Sequence, residues 1–415
     1  MIRPTVARVD LGAITRNFRH ITEHLARERP AGPPRVIAVV KANAYGHGGG
    51  QVARALEDAG ADLLACADIE EGAELRAAGV RADILIFGAL SVSDLDGLFD
   101  CGLTPTISTP GAARAVQTAA ARYRRRLPYH LKIDTGMNRL GFRYDNLKRT
   151  LPELLASENL ELSAVYTHFA TADEPDSPLF DEQRARFERA LADLDAVNRE
   201  SRGDRRDSLF SADSAGIPSL STVRLRSPST LSLANGSREA ATRPYVHACN
   251  SAALLRDARV WYDGVRPGLL LYGVVPPPLP STIALEPAMT LVSRIVAVKG
   301  IRPGEGVGYG MRFRAQSPRS IAVIPAGYAD GLDLRLAGRG AVLIRGRRAP
   351  IVGAVSMDML AADVTGLGAA PGDEVVILGS QGDDRIDARE MAATIGTIPW
   401  EIVSRIGTRI QRVYG

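Results

Sequence analysis

The segment Val36–Lys41 (VIAVVK) is an apolar run of strand length that closes on a lysine, and seven further runs of the same kind follow it. Most of the runs are bounded by Gly, Pro, Asp or Ser, as buried parallel strands usually are. The runs are Val36–Lys41, Leu63–Ala67, Ile84–Gly88, Thr104–Ser108, Tyr129–Thr135, Leu162–His168, Tyr245–Asn250 and Gly264–Leu270. Segments of helix length lie between most of them, namely Gly50–Ala59, Asp68–Ala78, Gly111–Arg125, Leu147–Ala156 and Leu179–Asn198. Eight strands with crossover helices predict an α/β fold built on a (β/α)8 TIM barrel.

The pattern changes after about residue 282. The runs become short and rich in Val and Ile, Gly and Asp separate most of them, and helical periodicity is mostly lost. This predicts a barrel over residues 10–281 followed by a mostly antiparallel β domain over residues 282–415. An opening strand within residues 1–9 could join either domain. The later predicted elements are strands at Thr290–Val298, Ser320–Ile324, Ala341–Ile344, Ala349–Val355 and Glu374–Leu378, and helices at Asp387–Thr394 and Trp400–Ile406.

Residues 201–243 differ from the rest of the chain. They are rich in Ser, Arg, Ala and Gly, they lack clean periodicity, and they separate the sixth and seventh predicted strands. A connection of this length without structure of its own is unusual inside a compact domain. We therefore predict a flexible surface insertion, for which a tolerated disordered loop is a sufficient explanation.

The composition is that of an ordinary globular protein, with 415 residues, 45% hydrophobic residues and a formal net charge of +4. This charge is mild for the length, so no nucleic-acid partner is expected, and the run Arg124–Arg126 fits a solvated helix end. No apolar run reaches the ~18 residues that a membrane span needs, and the first residues lack the apolar core of a secretory signal. The three cysteines form no CxxC pair, which favours a reducing cytoplasm.

Polar side chains follow several predicted strands at the point where each strand ends: Lys41, Lys132, Asp134, His168, Asn250, Ser251, Arg266 and Gly268. A barrel places its active site at the carboxyl ends of its strands, so these residues should meet on one rim. Taken singly, each has a plain structural explanation: Lys41 could extend to water, and Lys132 could pair with Asp134. Their convergence is the stronger observation, since chance would scatter them. Ser251 and the backbone after Gly268 could hold a phosphate, as barrels often do after their last strands.

One metal-binding pattern competes with this interpretation. The segment His20–His24 fits the His-x-x-Glu-His spelling, and helical spacing would place both histidines on one face. The pattern lies on the first helix, away from the rim, and no obvious third ligand accompanies it. A partly solvated helix face explains it better, so no metal is expected. The glycine-rich stretch Gly46–Gly50 lacks the Lys-Ser/Thr ending of a P-loop and fits a turn into a helix.

Several blocks of the sequence resemble those of bacterial alanine racemases, which are pyridoxal-phosphate enzymes of fold type III. Val39–Gly48 (VVKANAYGHG) looks like the block that carries the cofactor lysine, and Lys132–Gly141 (KIDTGMNRLG) resembles a second block of the family. Further similar blocks follow in family order at Thr167–Ala170, Ala172–Glu174, His247–Ala252, Val265–Gly273, Gly306–Gly310, Gly327–Gly331 and Ser356–Asp358. The similarity covers nearly the whole chain apart from residues 201–243. The lysine block, Val39–Gly48, together with the tyrosine block, Gly306–Gly310, is highly specific for this family.

The resemblance implies a role for each matching residue. Lys41 would bind the cofactor covalently, and Arg266, backed by His247, would face its pyridine nitrogen. Lys132 would correspond to a lysine that is often carbamylated in this family and whose new negative charge orients Arg139. The remaining contacts would be Tyr45, Asn250, Ser251 and the backbone of Gly268 and Leu269 to the cofactor, chiefly its phosphate, and Arg139 and Met357 to the substrate carboxylate region.

The resemblance also implies two catalytic bases, Lys41 and Tyr309, one on each face of the substrate. A single base tends to return the proton to the face it came from, so racemisation needs a second. Lys41 would serve the D-face and Tyr309 the L-face, and a phenol needs cationic neighbours to act as a base, for which Arg139 and His168 are the candidates. Family members are homodimers in which each site takes its tyrosine from the partner's β domain. The implied activity is the interconversion of L- and D-alanine, which supplies D-alanine for peptidoglycan.

Two departures from the family pattern leave the substrate range open. Trp400 stands where the family usually has a tyrosine whose hydroxyl reaches the phosphate, and Ala354 stands where a basic residue is common near the substrate channel. A racemase of broader range, acting on serine for example, stays an alternative, and so does a non-catalytic cofactor-binding protein. The tyrosine block and the β domain disfavour a pure binder. Arg266 disfavours a decarboxylase, in which a carboxylate is expected at that position.

Overall fold

The first part of the chain alternates strands and helices. The structure is a computed structural model, and it describes residues 4–90, 94–202 and 243–415. The strands of this part are β1 (Val6–Val9), β2 (Arg35–Val39), β3 (Leu63–Cys66), β4 (Asp83–Ile86), β5 (Thr104–Ile107), β6 (Leu127–Asp134), β7 (Phe142–Arg143), β8 (Leu160–Tyr166), β9 (Tyr245–Asn250) and β10 (Gly264–Arg266). The helices and helical turns are α1 (Leu11–Glu28), α2 (Lys41–Tyr45), α3 (Gly49–Asp58), α4 (Ile69–Ala77), α5 (Asp96–Asp100), α6 (Pro110–Arg122), α7 (Leu147–Thr150), α8 (Pro152–Leu155), α9 (Leu179–Arg202) and α10 (Ser251–Arg256).

Eight of these strands close into a parallel barrel in the order β2-β3-β4-β5-β6-β8-β9-β10. β10 pairs with β2 through Gly264 and Val265, which closes the ring, and β5 pairs with β6 on the opposite side. Because neighbouring strands are parallel, their carboxyl ends all meet at one rim. The (β/α)8 barrel predicted from the sequence is confirmed.

The interior of the barrel is apolar on one side and polar on the other. Alternate residues of a strand point to opposite sides of the sheet. In β2, Ile37 and Val39 belong to a small apolar cluster inside the barrel, whereas Val36 and Ala38 belong to the large core shared with the surrounding helices. The strands β5, β6, β8, β9 and β10 instead contribute buried polar or aromatic side chains, which are Thr106, His130, Lys132, Tyr166, His247 and Arg266.

The second part of the chain forms a mostly antiparallel sheet, as the sequence predicts. Its strands are β11 (Met289–Arg294), β12 (Ala297–Ile301), β13 (Gly306–Val307), β14 (Phe313–Arg314), β15 (Arg319–Ile324), β16 (Ala341–Ile344), β17 (Arg347–Val352), β18 (Leu360–Asp363), β19 (Glu374–Gln381), β20 (Asp384–Ile386) and β21 (Gln411–Tyr414), and its helices are α11 (Ala388–Ile395) and α12 (Pro399–Ser404). The sheet runs β12-β15-β18-β17-β16-β19-β11-β1-β21, with β20 beside β19. The opening strand β1 lies in this sheet, antiparallel to β11 and parallel to β21.

The structure differs from the predicted elements at three points. The single helix predicted over Leu147–Ala156 is two short helices, because Pro152 has no N–H to continue the first one and begins the second. The strand predicted over Gly264–Leu270 stops before Pro267, which has no N–H for the ladder. The strand predicted over Thr290–Val298 is divided between β11 and β12, which pair with different neighbours.

The predicted insertion over 201–243 lies almost entirely outside the described residues. α9 reaches Arg202 on its near side. On its far side, the Arg243 guanidinium donates to both carboxylate oxygens of buried Asp263, at 2.7 and 2.8 Å. Arg243 is therefore held against the barrel. None of the helices in the described ranges has the length and apolar character that crossing a bilayer requires.

Candidate active site

A cavity of about 650 Å³ opens at the carboxyl ends of the barrel strands. Its volume lies within the usual range for small-molecule sites. Most of the site residues named from the sequence line it: Lys41, Tyr45, Lys132, Arg139, His168, Asn250, Ser251, Arg266, Gly268 and Leu269. Trp400 and Ser404 of α12 also line the cavity, so the β domain closes one side of a barrel site.

Lys41 stands just after β2, and its side chain lines the cavity. Burial lowers the pKa of its ammonium, the positive charges of Arg139 and Arg266 lower it further, and the carboxylate of Glu71 opposes them. A lower pKa raises the fraction of neutral amine at neutral pH, and the neutral amine is the form that can bond to a carbonyl carbon. The surroundings of Lys41 therefore prepare it for covalent chemistry.

The residues that follow Lys41 form a left-handed turn. Residues 42–45 have φ between 50° and 54°, although none of them is glycine. Each residue with a Cβ in this conformation costs about 1–2 kcal/mol, so the turn persists only because its surroundings hold it. The Asn43 side chain, for example, accepts from the Gly49 N–H at 2.6 Å. The turn brings both Lys41 and Tyr45 to the cavity.

Buried Arg266 organises a hydrogen-bond network at the cavity wall. Its Nη2 donates to the carbonyl oxygens of Thr167 and Ala248, both at 2.9 Å, and its Nη1 donates to His247 Nδ1 at 2.8 Å. A guanidinium can only donate, so His247 must carry its proton on Nε2, which then donates to His130 Nδ1 at 3.0 Å. Burial lowers the pKa of Arg266 to about 10, which still leaves it cationic at neutral pH.

The buried histidines around Arg266 are neutral. Burial and the charge of Arg266 lower the pKa of His168 and His247 well below the ordinary value, and they lower the pKa of His130 to about 3. His168 lines the cavity, but a neutral imidazole cannot be the cationic neighbour that the sequence analysis considered for a catalytic phenol. Among the two candidates, Arg139 is left to supply that positive charge.

Lys132 lies on β6 at the cavity wall, with its ammonium 5.7 Å from the centre of the Tyr166 ring. The expected pairing with Asp134 does not form: one Asp134 oxygen accepts from two backbone N–H groups of the following turn, and no ion pair joins the two side chains in this described part of the chain. Burial lowers the pKa of Lys132 to about 8, and the positive charge of Arg139 contributes. Lys132 is therefore a buried amine beside a guanidinium.

One end of the cavity gathers hydrogen-bond donors around Gly268. A Cβ added to Gly268 would lie 2.6 Å from the Tyr45 hydroxyl, so this close approach requires glycine. The Gly268 N–H donates to Ser251 Oγ at 3.0 Å. Asn250 is partly committed elsewhere, because its side chain caps α10 by accepting from Ala253 N at 2.9 Å. Two hydroxyls thus converge where a phosphate could be held, and the Ser251 hydroxyl can donate to it because its oxygen already accepts from Gly268.

Three residues named from the sequence are not among the lining residues of the cavity in their own chain: His247, which lies behind Arg266, and Tyr309 and Met357 of the β domain. Tyr309 lies in the hairpin between β13 and β14 and is 78% exposed, and Met357 is 52% exposed. Met311, Tyr328 and Met359 are exposed large apolar side chains of the same domain. Apolar exposure of this extent is typical of a surface that meets another protein.

Three contributors to the site were not named from the sequence: Tyr166, His130 and Glu71. Tyr166 stacks on His247, with the ring centroids 4.7 Å apart, and so supports the network around the cavity. His130 lies two residues before Lys132 on β6, and Tyr166 lies two residues before His168 in the strand predicted over Leu162–His168, so the two-residue alternation of strands could have found them. Glu71 lies on α4, where its sequence position suggests only a helix cap.

The histidines of the His-x-x-Glu-His pattern have other partners. His20 Nδ1 lies 2.6 Å from the carbonyl oxygen of Ala284, and His24 Nδ1 lies 3.0 Å from the Arg27 guanidinium. Across residues 4–90, 94–202 and 243–415, no group of three or more His, Cys, Asp or Glu side chains could hold a metal ion.

The fold and the cavity define a class of protein, a two-domain barrel enzyme that can hold a phosphorylated cofactor beside a lysine. Comparison with family models narrows this class. The model described as alanine racemase, N-terminal domain, matches residues 9–224 and 229–276, and the model for the C-terminal domain matches residues 288–414. The chain therefore belongs to the alanine racemase family, whose members are isomerases that depend on pyridoxal phosphate.

Individual relatives agree over the full length. An alanine racemase of Carboxydothermus hydrogenoformans is 40% identical over 417 residues, which cover 100% of both chains. The crystal structure of alanine racemase from the D-cycloserine producer Streptomyces lavendulae has a TM-score of 0.84 at 32% identity, covering 100% of this chain and 98% of that one. The alanine racemase of Bartonella henselae, solved with covalently bound pyridoxal phosphate, has a TM-score of 0.76 at 27% identity and covers 99% of each chain.

Proposed function

We propose that this chain interconverts L-alanine and D-alanine with pyridoxal phosphate, and that Lys41 and Tyr309 are its two bases. The observation that carries the proposal is the cavity, in which a lysine of lowered pKa, a buried guanidinium and a set of phosphate donors occur together. Membership of the alanine racemase family supports both the substrate and the cofactor. Such an activity would supply D-alanine for peptidoglycan.

The residues of the cavity fit pyridoxal phosphate. Gly268 leaves a space beside the Tyr45 hydroxyl that any Cβ would fill. Lys41 would bind the cofactor carbonyl, and Arg266 would face the ring nitrogen. The contacts to the phosphate end would come from Tyr45, Asn250, Ser251 and the backbone of Gly268 and Leu269. When bound, the cofactor withdraws electrons from the attached amino acid and so acidifies its α-C–H bond.

Lys41 would move the α-proton on the D-face. Lys41 Nζ would act as a free amine when the substrate is bound, and its lowered pKa favours the neutral form that can accept a proton. Arg139 lines the same cavity and would bind the substrate carboxylate, for which its planar guanidinium is suited. The substrate would thus be held with its α-carbon within reach of Lys41.

Tyr309 would move the proton on the L-face, and it would come from a second copy of the chain. The hairpin that carries Tyr309 does not reach the cavity of its own chain, and the side chain is 78% exposed. A homodimer that seats this hairpin at the partner's cavity would bring Tyr309 and Met357 to the substrate. Because His168 is neutral, Arg139 would be the cation beside the phenol.

Arg266 would limit the chemistry to proton transfer. A guanidinium that only donates leaves the ring nitrogen facing it without a proton. Behind it, His247 and His130 are neutral, because burial lowers both pKa values. By keeping that nitrogen without a proton, Arg266 would weaken its withdrawal of electrons and so disfavour side reactions such as transamination.

The direct test is racemisation by the purified protein. With pyridoxal phosphate and L-alanine, we expect D-alanine to accumulate until the two enantiomers are equal. Lys41→Ala should abolish the activity, and Tyr309→Phe should lower kcat by about 10²- to 10⁴-fold, the usual contribution of one acid–base group. Tyr123→Phe, which removes a phenol from the outer surface of the barrel, is the matched control and should keep full activity.

Other outcomes separate the alternatives. A cofactor that borohydride fixes to Lys41 without any D-alanine formation would point to a binding protein and contradict the proposal. Racemisation of L-serine at a kcat/KM equal to that of L-alanine would point to a broader racemase. Racemisation that survives in Lys41→Ala would rule out Lys41 as a base.

We further propose that the enzyme works in the cytoplasm and that its domains meet near residue 281. All three cysteines are free thiols, two of them buried, and free thiols suit a reducing compartment. The two family matches end at residue 276 and begin at residue 288, on either side of the proposed boundary.

A further inference from the structure

We propose that Glu71 is a positioning residue for Lys41. Glu71 holds the strained turn that follows the lysine and places a negative charge near it. The inference rests on the proposed role of Lys41 as the residue that binds pyridoxal phosphate. Glu71 lies on α4, outside the set of residues that line the cavity. It would act through the backbone of residues 42–45 and through its charge.

The geometry places one carboxylate between two strand ends. Glu71 Oε1 accepts from the Ala42 N–H at 2.6 Å, and Glu71 Oε2 accepts from the Ala67 N–H at 2.7 Å. Ala42 is the first left-handed residue after Lys41, and Ala67 follows β3. The carboxylate therefore ties the end of β2 to the end of β3 at the point where the strained turn begins.

A plain helix cap does not account for these contacts. Asp68 and Glu71 have the spacing of a capping box, in which the glutamate would return to the N–H of the cap residue itself. Here the Asp68 side chain accepts from the Glu71 N–H at 2.8 Å, so half of the box is present. The Glu71 carboxylate instead accepts from Ala67 and from Ala42, which belongs to a different element. The contact with Ala42 does not cap α4 and stabilises only the left-handed turn.

The turn needs such a partner. Four consecutive residues with a Cβ lie in the unfavourable left-handed region, and an ionised acceptor makes a stronger bond to a backbone N–H than a neutral one. The Glu71 charge has a second effect, because it raises the pKa of Lys41 against the lowering by burial, Arg139 and Arg266. Glu71 would therefore affect both the position of Lys41 and the pH at which Lys41 loses its proton.

The test compares three variants with the wild type. Glu71→Gln keeps the size but offers one acceptor oxygen for two N–H groups and removes the charge. Glu70→Gln removes the charge of the exposed neighbouring residue and is the matched control. Asp68→Ala removes the helix cap but leaves the Glu71 carboxylate in place, so it controls for the stability of α4.

The measurement is the rate at which apoprotein attaches pyridoxal phosphate to Lys41, trapped with borohydride and followed across pH. For Glu71→Gln we expect the rate on the high-pH plateau, where Lys41 is neutral in every variant, to be about 10- to 100-fold lower, as for the loss of a charged hydrogen bond. We also expect the midpoint of the pH profile to move to lower pH, since an opposing negative charge is gone. Glu70→Gln and Asp68→Ala should leave the midpoint unchanged, and Glu71→Asp should restore it in part.

A purely structural role would lower the thermal stability of Glu71→Gln without moving the pH midpoint, and that result would overturn the proposal. If Glu71→Gln does not fold, hydrogen exchange of the wild-type holoenzyme decides: the amide of exposed Ala42 should be protected, and rapid exchange there would refute the contact. If the wild type itself attaches no cofactor at Lys41, the proposed function fails instead.

Discussion

At the scale of single residues, burial sets the protonation state of the cavity groups in opposite directions for bases and for phenols. It lowers the pKa of Lys41, Lys132 and His168, and it raises the pKa of Tyr45 to about 12. The two lysines therefore lose their protons at lower pH than free lysines do and His168 stays neutral, while the Tyr45 hydroxyl keeps its proton and stays a donor. A donor is what an anionic phosphate requires.

The surroundings of Lys132 lead to a prediction about its modification. A buried ammonium next to the Arg139 guanidinium is repelled by it, whereas a carbamate on Lys132 would attract and orient Arg139. Only the neutral amine reacts with carbon dioxide, and with a pKa of about 8 its fraction grows as pH rises from 7 to 9. We expect a carbamate signal from ¹³C-bicarbonate in NMR spectra that strengthens over this range. It should vanish in Lys132→Ala and persist in Lys148→Ala, which changes an exposed lysine.

If the signal is equally strong in Lys132→Ala, the carbamate lies elsewhere. Loss of the carbamate should also change the KM for alanine. Without the carbamate, Arg139 would be poorly oriented toward the substrate carboxylate, so Lys132→Ala should raise KM for alanine by about 10-fold, as for a lost charged hydrogen bond.

Trp400 gives a second prediction at this scale. Its indole lines the cavity from α12, and an indole can donate only through its single N–H. A tyrosine at this position would be smaller and would offer a hydroxyl, so Trp400→Tyr should bind pyridoxal phosphate about 3- to 10-fold more tightly, the gain of one hydrogen bond. Cofactor titration of the apoprotein measures this. Unchanged cofactor affinity together with unchanged substrate kinetics would show that Trp400 has no such effect.

At the scale of elements, the polar side of the barrel makes the fold sensitive to acid. His130 on β6 is buried and neutral, with a pKa of about 3 in the folded state. In the unfolded chain a histidine titrates near ~6.5, so below that pH the unfolded state binds the extra proton and gains stability relative to the folded state. The contribution of His130 is fully present above the unfolded pKa and is lost progressively as pH falls below it.

We predict that His130→Gln loses less of its free energy of unfolding than the wild type when the pH is lowered. Between pH 7 and pH 5, one such histidine should lower the free energy of unfolding by about 2 kcal/mol in the wild type. Urea unfolding at the two pH values should therefore show a drop that is about 2 kcal/mol smaller in His130→Gln. His20→Gln, which changes a partly exposed histidine on α1, should leave the drop unaltered. Equal drops in wild type and His130→Gln would contradict the buried neutral state.

Elements also show how far the sequence could predict the structure. The barrel strands were predictable because a buried parallel strand has a continuous apolar run with breakers at each end, as in β9. The left-handed turn at 42–45 was not, since only Asn43 adopts that conformation readily, and contacts distant in sequence impose it on its neighbours. Glu71 is the same case: its spacing from Asp68 predicts a local cap, while its partner at Ala42 depends on how two strand ends are placed.

At the scale of the whole molecule, the residues that the sequence implies for one site do not lie together within a single chain. Lys41 and Arg139 line the cavity of the barrel, whereas Tyr309 projects into solvent from the β domain. The resemblance named both groups of residues, but the pattern of one chain does not tell which copy of a residue faces which cavity. Because Tyr309 and Met357 are exposed, we expect them to reach the cavity of a second subunit, and this expectation can be tested.

A mixing experiment tests it. Lys41→Ala and Tyr309→Ala should each be inactive alone. If sites are shared between subunits, a mixed dimer has one site with both defects and one site with an intact Lys41 and an intact Tyr309. After unfolding and refolding together in equal amounts, half of the dimers should be mixed, and about a quarter of wild-type activity should return. The control pairs Lys41→Ala with Arg139→Ala: both defects lie on the barrel side, every site stays defective, and no activity should return. Recovery in neither mixture would mean that each chain builds its own site, and the exposed hairpin would then have to close onto its own barrel.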